Sequence, residues 1–466
     1  MTGISRQNRI CQSFNHAEAY DEAASMQRYV ARQLFERIKT AQAQHQPARI
    51  LELGCGTGFL TTLLAAHWPD AEIIATDFAP QMVQRMQARL GERVTGHVMD
   101  AAAPDVEGSF DIICGSLVFQ WLDNPQAVLL HLEKMLKPGG RLFFSTLTQG
   151  TFEEWQQACT SEHSVGTPDY PTLAALQSCR PALCAGSWEG ACYIQPFNSA
   201  RAFLHHLSQT GACVPVAGYK PLQPAALRQA MNRFEAGGCA ISWHIAYGCF
   251  QRPVRAGVFV TGTDTGVGKT FISACLVKAW SALYWKPLQS GLADEPGDTL
   301  TVTELAGADA ASCLPSVGAF QASLSPEAAA RAEGAEIDPA SLVLPLAEND
   351  RPLVVEGAGG LMVPVTDRLM ICDLIVRWAL PVVVVARSGL GTLNHTLLTL
   401  EALRNRGVAI AGVVLNGPPD EDNCRVIEEK GRVRILAQVP HQSVVSAETV
   451  AEASRKLPSW SDVSPF

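Results

Sequence analysis

The chain has 466 residues, with 36 Lys and Arg against 45 Asp and Glu, for a formal net charge of −9. An apolar fraction of 47% and a charged fraction of 17% exclude a disordered chain, and the acidic balance argues against nucleic-acid backbone binding as the main activity. The longest apolar run, Trp378 to Ala386, is too short to cross a bilayer; it reads as a buried strand.

Met1 to Ile10 lack the apolar core of a signal peptide. Phe14, Ala19-Tyr20-Asp21 and Gln27 then open a helical segment. Ile50 to Leu53 read as a buried parallel strand, followed by Gly54, Gly56 and Gly58, which allow a sharp turn and close approach to a ligand. A helix begins near Phe59. A second strand, Glu72 to Asp77, ends in an acid that can accept hydrogen bonds from ribose hydroxyls. Val98-Met-Asp100 ends the next strand with another acid. Phe110 to Cys114 form a further strand, then come Gln120-Trp121, a helix ending in Leu136 to Gly140, and a strand from Arg141 to Ser145.

A break is expected at Gln251 to Ala256, where Pro253 interrupts the pattern, giving domains 1–252 and 256–466. The strand Gly257 to Thr261 leads into Gly262-Thr-Asp-Thr-Gly-Val-Gly-Lys-Thr270, a full G-x-x-x-x-G-K-[ST] loop. Its backbone N–H groups, including those of Thr265, Gly266, Val267 and Gly268, cradle phosphate oxygens. Lys269 can reach the β/γ-phosphates and the Thr270 hydroxyl can ligate Mg²⁺. A helix follows from Phe271 to Trp280. Strands alternate with helices in both halves, so the fold class is α/β with parallel sheets.

The first ordered set, over about residues 45–150, resembles class I S-adenosylmethionine-dependent methyltransferases, a Rossmann-like fold. The resemblance implies that the loop with Glu52, Gly54, Gly56 and Gly58 packs on the cofactor's methionine part. It implies that Asp77 holds the ribose and Asp100 faces the adenine. The flanks Ala19-Tyr20-Asp21, Val118-Phe-Gln-Trp121, Ser145 to Gly150 and Leu207 to Ala212 are similar to malonyl-acyl-carrier-protein O-methyltransferase. Tyr20, Gln120 and Trp121 are then candidates for lining the substrate side. An acidic carrier protein needs a locally basic dock, for which Arg180, Arg201, Lys220, Arg228 and Arg233 are available.

The second half is expected to be a doubly wound P-loop domain. Its series includes Trp285 to Gly291, Gly297-Asp298-Thr299, Pro352 to Gly360, Gly389 to His395 and Ala411 to Asn416, and resembles dethiobiotin synthetase over about residues 256–445. The resemblance implies Mg²⁺ at Thr270, Asp298 and Glu356, and Lys269 and Lys286 around carbamate and γ-phosphate. It places substrate at Ser290 and adenine at Asn416. The loop departs from one form of the family in having Gly266 where some members carry Glu. The stretch between Thr270 and Lys286 is also short.

Together these resemblances imply a bifunctional enzyme of biotin synthesis that uses S-adenosylmethionine, ATP and Mg²⁺. Its substrates would be malonyl-acyl-carrier protein, 7,8-diaminononanoate and CO₂. They also imply a cytoplasmic homodimer, joined through the C-terminal domain, that engages neither membrane nor nucleic acid. Two alternatives stay open. One is a methyltransferase for another small carboxylic acid. The other is a P-loop switch ATPase, although such switches carry an added lysine where this chain has Thr263-Asp264-Thr265.

Overall fold

A computed structural model describes residues 20–43, 45–159, 168–182, 184–210, 219, 221–345 and 351–464. Phe14, Ala19, Gly211, Ala212 and Lys220 lie outside these residues. The chain divides into two units, residues 1–181 with 187–250, and residues 182–186 with 251–466.

The first unit is a seven-stranded sheet in the order β3-β2-β1-β4-β5-β7-β6. The strands are β1 (Arg49–Leu53), β2 (Glu72–Asp77), β3 (Thr95–Val98), β4 (Phe110–Gly115), β5 (Leu136–Leu147), β6 (Ala185–Pro196) and β7 (Ala240–Gln251). The run from β3 through β5 is parallel. Strands covered on both faces need continuous apolar sequence, and Ile50, Leu51 and Leu53 of β1 are fully buried. The helix Ser25–Ala41 buries Met26, Val30, Leu34 and Ile38, a 3.6-residue stripe, against this sheet. Each such side chain contributes roughly 1.5–3 kcal/mol relative to exposure.

One boundary differs from expectation. Leu136 to Gly140 belong to β5 rather than to the preceding helix, which stops at Lys134. Pro138 and Gly139 (φ 77) cannot continue a helix, and the extra residues are absorbed by a register shift against β4.

The second unit carries a parallel seven-stranded sheet, order β11-β9-β13-β8-β14-β15-β16. Its strands are β8 (Gly257–Gly262), β9 (Leu283–Trp285), β11 (Cys313–Leu314), β13 (Leu353–Gly360), β14 (Val382–Arg387), β15 (Ile410–Asn416) and β16 (Ile435–Val439). A separate parallel pair joins β10 (Leu288–Gln289) to β12 (Gly318–Ala319). Two apolar clusters cover the faces of the large sheet. The helix Lys269–Trp280 is buried along nearly its whole length.

The apolar run Trp378 to Ala386 is not one strand. Trp378 ends the helix Ile371–Trp378, Ala379 caps it in the left-handed region (φ 53), and β14 starts only at Val382. Pro381 separates the two elements, so a continuous apolar run holds a helix end, a turn and a strand. Among the described residues, no helix is long and apolar enough to cross a membrane.

Candidate functional sites

In each unit, the candidate groups sit at the carboxyl ends of parallel strands, the usual ligand edge of an open α/β sheet. In the first unit, Gly54, Gly56 and Gly58 have φ of 64, 53 and 91. At Gly54 a Cβ would overlap Val118 Cγ2, so both backbone sign and space require glycine. Asp77, at the end of β2, is 6% exposed. Its Oδ2 accepts from Gly56 N at 2.9 Å and its Oδ1 from Ala79 N at 2.9 Å. Each oxygen keeps a lone pair for a ligand hydroxyl. Burial pushes the Asp77 pKa up to about 6, against the pull of those backbone bonds.

Glu52 on β1 is 1% exposed, and its Oε2 has no hydrogen-bond partner among the described residues. Burial, aided by the Asp77 charge, raises its pKa to about 8. Gln27 Oε1 is also buried without such a partner. One pocket collects Tyr20, Gln27, Glu52, Gly54, Gly56, Asp77, Asp100, Gln120 and Trp121. Asp100 lies two residues beyond β3 and is exposed. Gly58 does not line the pocket; its left-handed backbone starts the helix Phe59–His67.

The Tyr20 ring stacks near Phe59 at 6.1 Å between centroids, and burial raises its pKa well above the ordinary phenol value. Sequence reasoning named Asp21 only as part of a motif. Its carboxylate accepts from Thr57 Oγ1 of the glycine loop at 2.5 Å and pairs with Arg89. Asp21 thus ties the Tyr20–Ala23 turn to the glycine loop. Gln120 Oε1 accepts from Thr146 Oγ1 at 3.3 Å, and Trp121 belongs to the 3₁₀ turn Phe119–Trp121. Just before this turn, Leu117 holds φ 57, a costly conformation for a leucine, with its N–H donated to Ser145 Oγ at 2.9 Å. Arg201, Arg228 and Arg233 are exposed on the helices Ala200–Gln209 and Pro224–Ala236, while Arg180 is half-buried.

The second unit builds its site around the loop between β8 and the helix Lys269–Trp280. Gly266 and Gly268 have φ of 69 and 94. Lys269 Nζ donates back to Asp264 O at 3.2 Å, and burial, then the nearby Lys286 charge, lowers its pKa. Thr270 Oγ1 donates to Asp298 Oδ1 at 2.6 Å and lies 3.1 Å from Glu356 Oε1. Lys286 Nζ meets Asp298 Oδ2 at 2.6 Å and Glu356 Oε1 at 2.9 Å. Burial alone would depress the Lys286 ammonium, but Glu356 and Asp298 outweigh it and hold its pKa above the ordinary value. Four of the named residues therefore form one cluster, Thr270, Lys286, Asp298 and Glu356, in which Lys286 and Glu356 are buried and Thr270 and Asp298 half-buried.

Asn416, at the end of β15, donates through Nδ2 to Val267 O at 2.9 Å. Thr265 is exposed, and its carbonyl accepts from Arg387 Nη2 at 3.2 Å, which adds a cation beside the loop. Ser290 follows β10 and is half-buried. Tyr284 was missed: its hydroxyl donates to Glu356 Oε2 at 2.9 Å. Its place two residues before Lys286, the spacing of one strand face, could have found it, although β9 itself ends at Trp285.

The donor set suits a hard cation. One hydroxyl and two carboxylates converge beside a phosphate loop, and Mg²⁺ is commonly held by one or two carboxylates together with substrate phosphates. Among the described residues no three His, Cys, Asp or Glu side chains form a cage of their own.

Comparison with known proteins agrees with this division. A methyltransferase-domain family model matches residues 51–142 and an AAA-domain family model matches residues 256–449. The biotin biosynthesis bifunctional protein BioCD of Bordetella avium is 45% identical over 448 residues, covering 95% of this chain and 94% of that protein. The ATP-dependent dethiobiotin synthetase BioD of Paramagnetospirillum magneticum is 53% identical over 195 residues, 42% of this chain and 93% of that protein. BioD of Agrobacterium fabrum is 47% identical over 194 residues, 42% of this chain and 90% of that protein. With a methyltransferase fold ahead of a P-loop domain, and similarity along nearly its whole length, the chain belongs to the family of the bifunctional BioCD proteins.

Proposed function

We propose that the chain is a bifunctional biotin-synthesis enzyme. Its first unit methylates the free carboxylate of malonyl-acyl-carrier protein with S-adenosylmethionine. Its second converts 7,8-diaminononanoate, CO₂ and MgATP to dethiobiotin. The observation that carries this reading is that each unit holds its own set of ligand-facing groups, one around Asp77 and Glu52, the other around Lys269, Thr270 and Glu356.

In the first unit, bound S-adenosylmethionine supplies the methyl group. Asp77 takes the ribose, Asp100 the adenine and the Gly54–Gly58 loop the methionine part. The acceptor carboxylate is ionised at neutral pH, so no strong base is required. Tyr20, Gln120 and Trp121 orient it and exclude water, which is the main contribution such a site can make. The exposed Arg201, Arg228 and Arg233 suit an acidic carrier protein.

In the second unit, Mg²⁺ held by Thr270, Asp298 and Glu356 offsets charge on the phosphates. An amine of the substrate adds to CO₂ to give a carbamate. The carbamate oxygen takes the γ-phosphoryl group from ATP, releasing ADP. The second amine then attacks the carbonyl carbon, closes the ring and expels phosphate. Lys269 and Lys286 stabilise the anionic carbamate and transferring phosphoryl group, Ser290 contacts the substrate and Asn416 faces the adenine. A homodimer joined through this unit, located in the cytoplasm, completes the proposal.

Two biotin auxotrophs, one lacking each activity, test it: the full chain should rescue both. Methyl-labelled S-adenosylmethionine should mark malonyl-acyl-carrier protein. Labelling of free small acids alone would replace the proposed acceptor with another carboxylate.

A further inference from the structure

Behind the cation-facing carboxylate lies a side chain that neither the loop motif nor the proposed reaction uses. Tyr284 is completely buried in β9, and its hydroxyl donates to Glu356 Oε2 at 2.9 Å. A phenol has a single proton to give. A phenol is protonated at neutral pH, so in this bond it is the donor. Glu356 Oε1 has different company, with Lys286 Nζ at 2.9 Å and Thr270 Oγ1 at 3.1 Å. The two oxygens of one carboxylate are thereby divided. Oε2 is held by the neighbouring strand, and Oε1 faces the phosphate loop.

The geometry follows from the sheet. β9 runs parallel beside β13, with Tyr284 in register with Val354, two residues before Glu356. Residues 354 and 356 share a face of β13, and Tyr284 of β9, in register with Val354, lies on that same face. The long phenol of Tyr284 therefore reaches the carboxylate from the strand alongside. At 1% exposure, Glu356 gains no competing water on that side.

We infer that Tyr284 is a specificity-determining positioning residue: by occupying Oε2 it restricts Glu356 to one-oxygen ligation and so favours Mg²⁺ over Ca²⁺. This rests on the proposed cation role of Thr270, Asp298 and Glu356. Mg²⁺ demands near-octahedral geometry at about 2.0–2.1 Å, so a carboxylate presenting one oxygen fits it. Ca²⁺ takes more oxygens, at about 2.3–2.6 Å, and readily accepts both from one carboxylate. A glutamate free to turn could serve either ion; one pinned by Tyr284 serves the smaller.

The test is calorimetric titration of Mg²⁺ and of Ca²⁺ into the full chain loaded with a non-hydrolysable ATP analogue. In Tyr284→Phe the ratio of the Ca²⁺ to the Mg²⁺ dissociation constant should fall about tenfold, mainly through tighter Ca²⁺ binding. Val450→Ala, a buried change on another element, should leave the ratio as in wild type. An unchanged ratio in Tyr284→Phe, with both ions weakened alike, would overturn the inference while leaving the cation site standing. Wild-type affinities for both ions in Glu356→Gln would remove the cation reading itself, and the inference with it. Infrared difference spectra of the wild-type chain with ¹³C-labelled glutamate need no Tyr284 variant. The Ca²⁺-induced band that disappears in Glu356→Gln should carry the wide stretch separation of one-oxygen ligation; a bidentate signature would overturn the inference.

Discussion

Replacing Glu52 by Gln removes a charge while keeping the shape of a side chain that is 1% exposed. In the wild-type chain, burial first, with the Asp77 charge adding to it, raises the Glu52 pKa from 4.5 to about 8. A raised carboxyl pKa means that the folded state keeps a proton the unfolded state has already released. Stability is therefore full below about pH 4.5 and falls as pH rises through the window up to about 8. At about 1.4 kcal/mol per unit, that gap amounts to on the order of 5 kcal/mol above the window. The Gln variant lacks this loss. Burying its NH₂ group adds a pH-independent cost of about 1–3 kcal/mol. The variant's stability relative to wild type should thus improve by on the order of 4 kcal/mol between about pH 5 and pH 8.5. Asp77 contributes with the same sign between 3.8 and about 6, but equally in both proteins. Hydrogen exchange of the peptide covering residues 49–58, corrected for the intrinsic rate, reads the first unit alone. A stability difference that does not change with pH would refute the reasoning, because it would mean that Glu52 is already ionised in the folded chain.

The same carboxyl should couple cofactor binding to proton release: titration of S-adenosylmethionine near neutral pH, in buffers of different ionisation heat, should show release in wild type and much less in Glu52→Gln. Lys286→Met should lower stability by about 3 kcal/mol in calorimetry, because it leaves Glu356 and Asp298 without their buried cation, and should abolish dethiobiotin formation. Asp21→Ala frees Thr57 and Arg89, so the dissociation constant for S-adenosylmethionine should rise several-fold in a direct titration, with ligase turnover unchanged.

Both glycine loops were legible because their requirements are local: positive φ at Gly54, Gly56, Gly58, Gly266 and Gly268 falls on the glycines that make up the motifs. The place of Asp77 was legible for a similar reason, since it is the last residue of a parallel strand, whereas Asp100 was expected to end its strand and lies two residues beyond it. Tyr284 was not, because its role depends on which strand lies beside β9, and one sequence does not state sheet order. Asp21 was hidden likewise by distance along the chain, 36 positions from Thr57. The misread run at Trp378 has a third cause. Apolar character says that a segment is buried, and the helix end at Trp378 and the strand at Val382 are equally buried. The charge asymmetry is legible but indirect. The first half carries a net −2 and the second −7, and the nearly neutral half is the one proposed to meet an acidic carrier.

The central claim is that one chain carries two independent active sites. It is tested most directly by assaying methyl transfer and dethiobiotin formation in the same preparations of wild type, Asp77→Ala and Lys269→Ala. The account predicts that Asp77→Ala loses only methyl transfer and Lys269→Ala only dethiobiotin formation. Loss of both activities in either variant, or retention of dethiobiotin formation in Lys269→Ala, would contradict it.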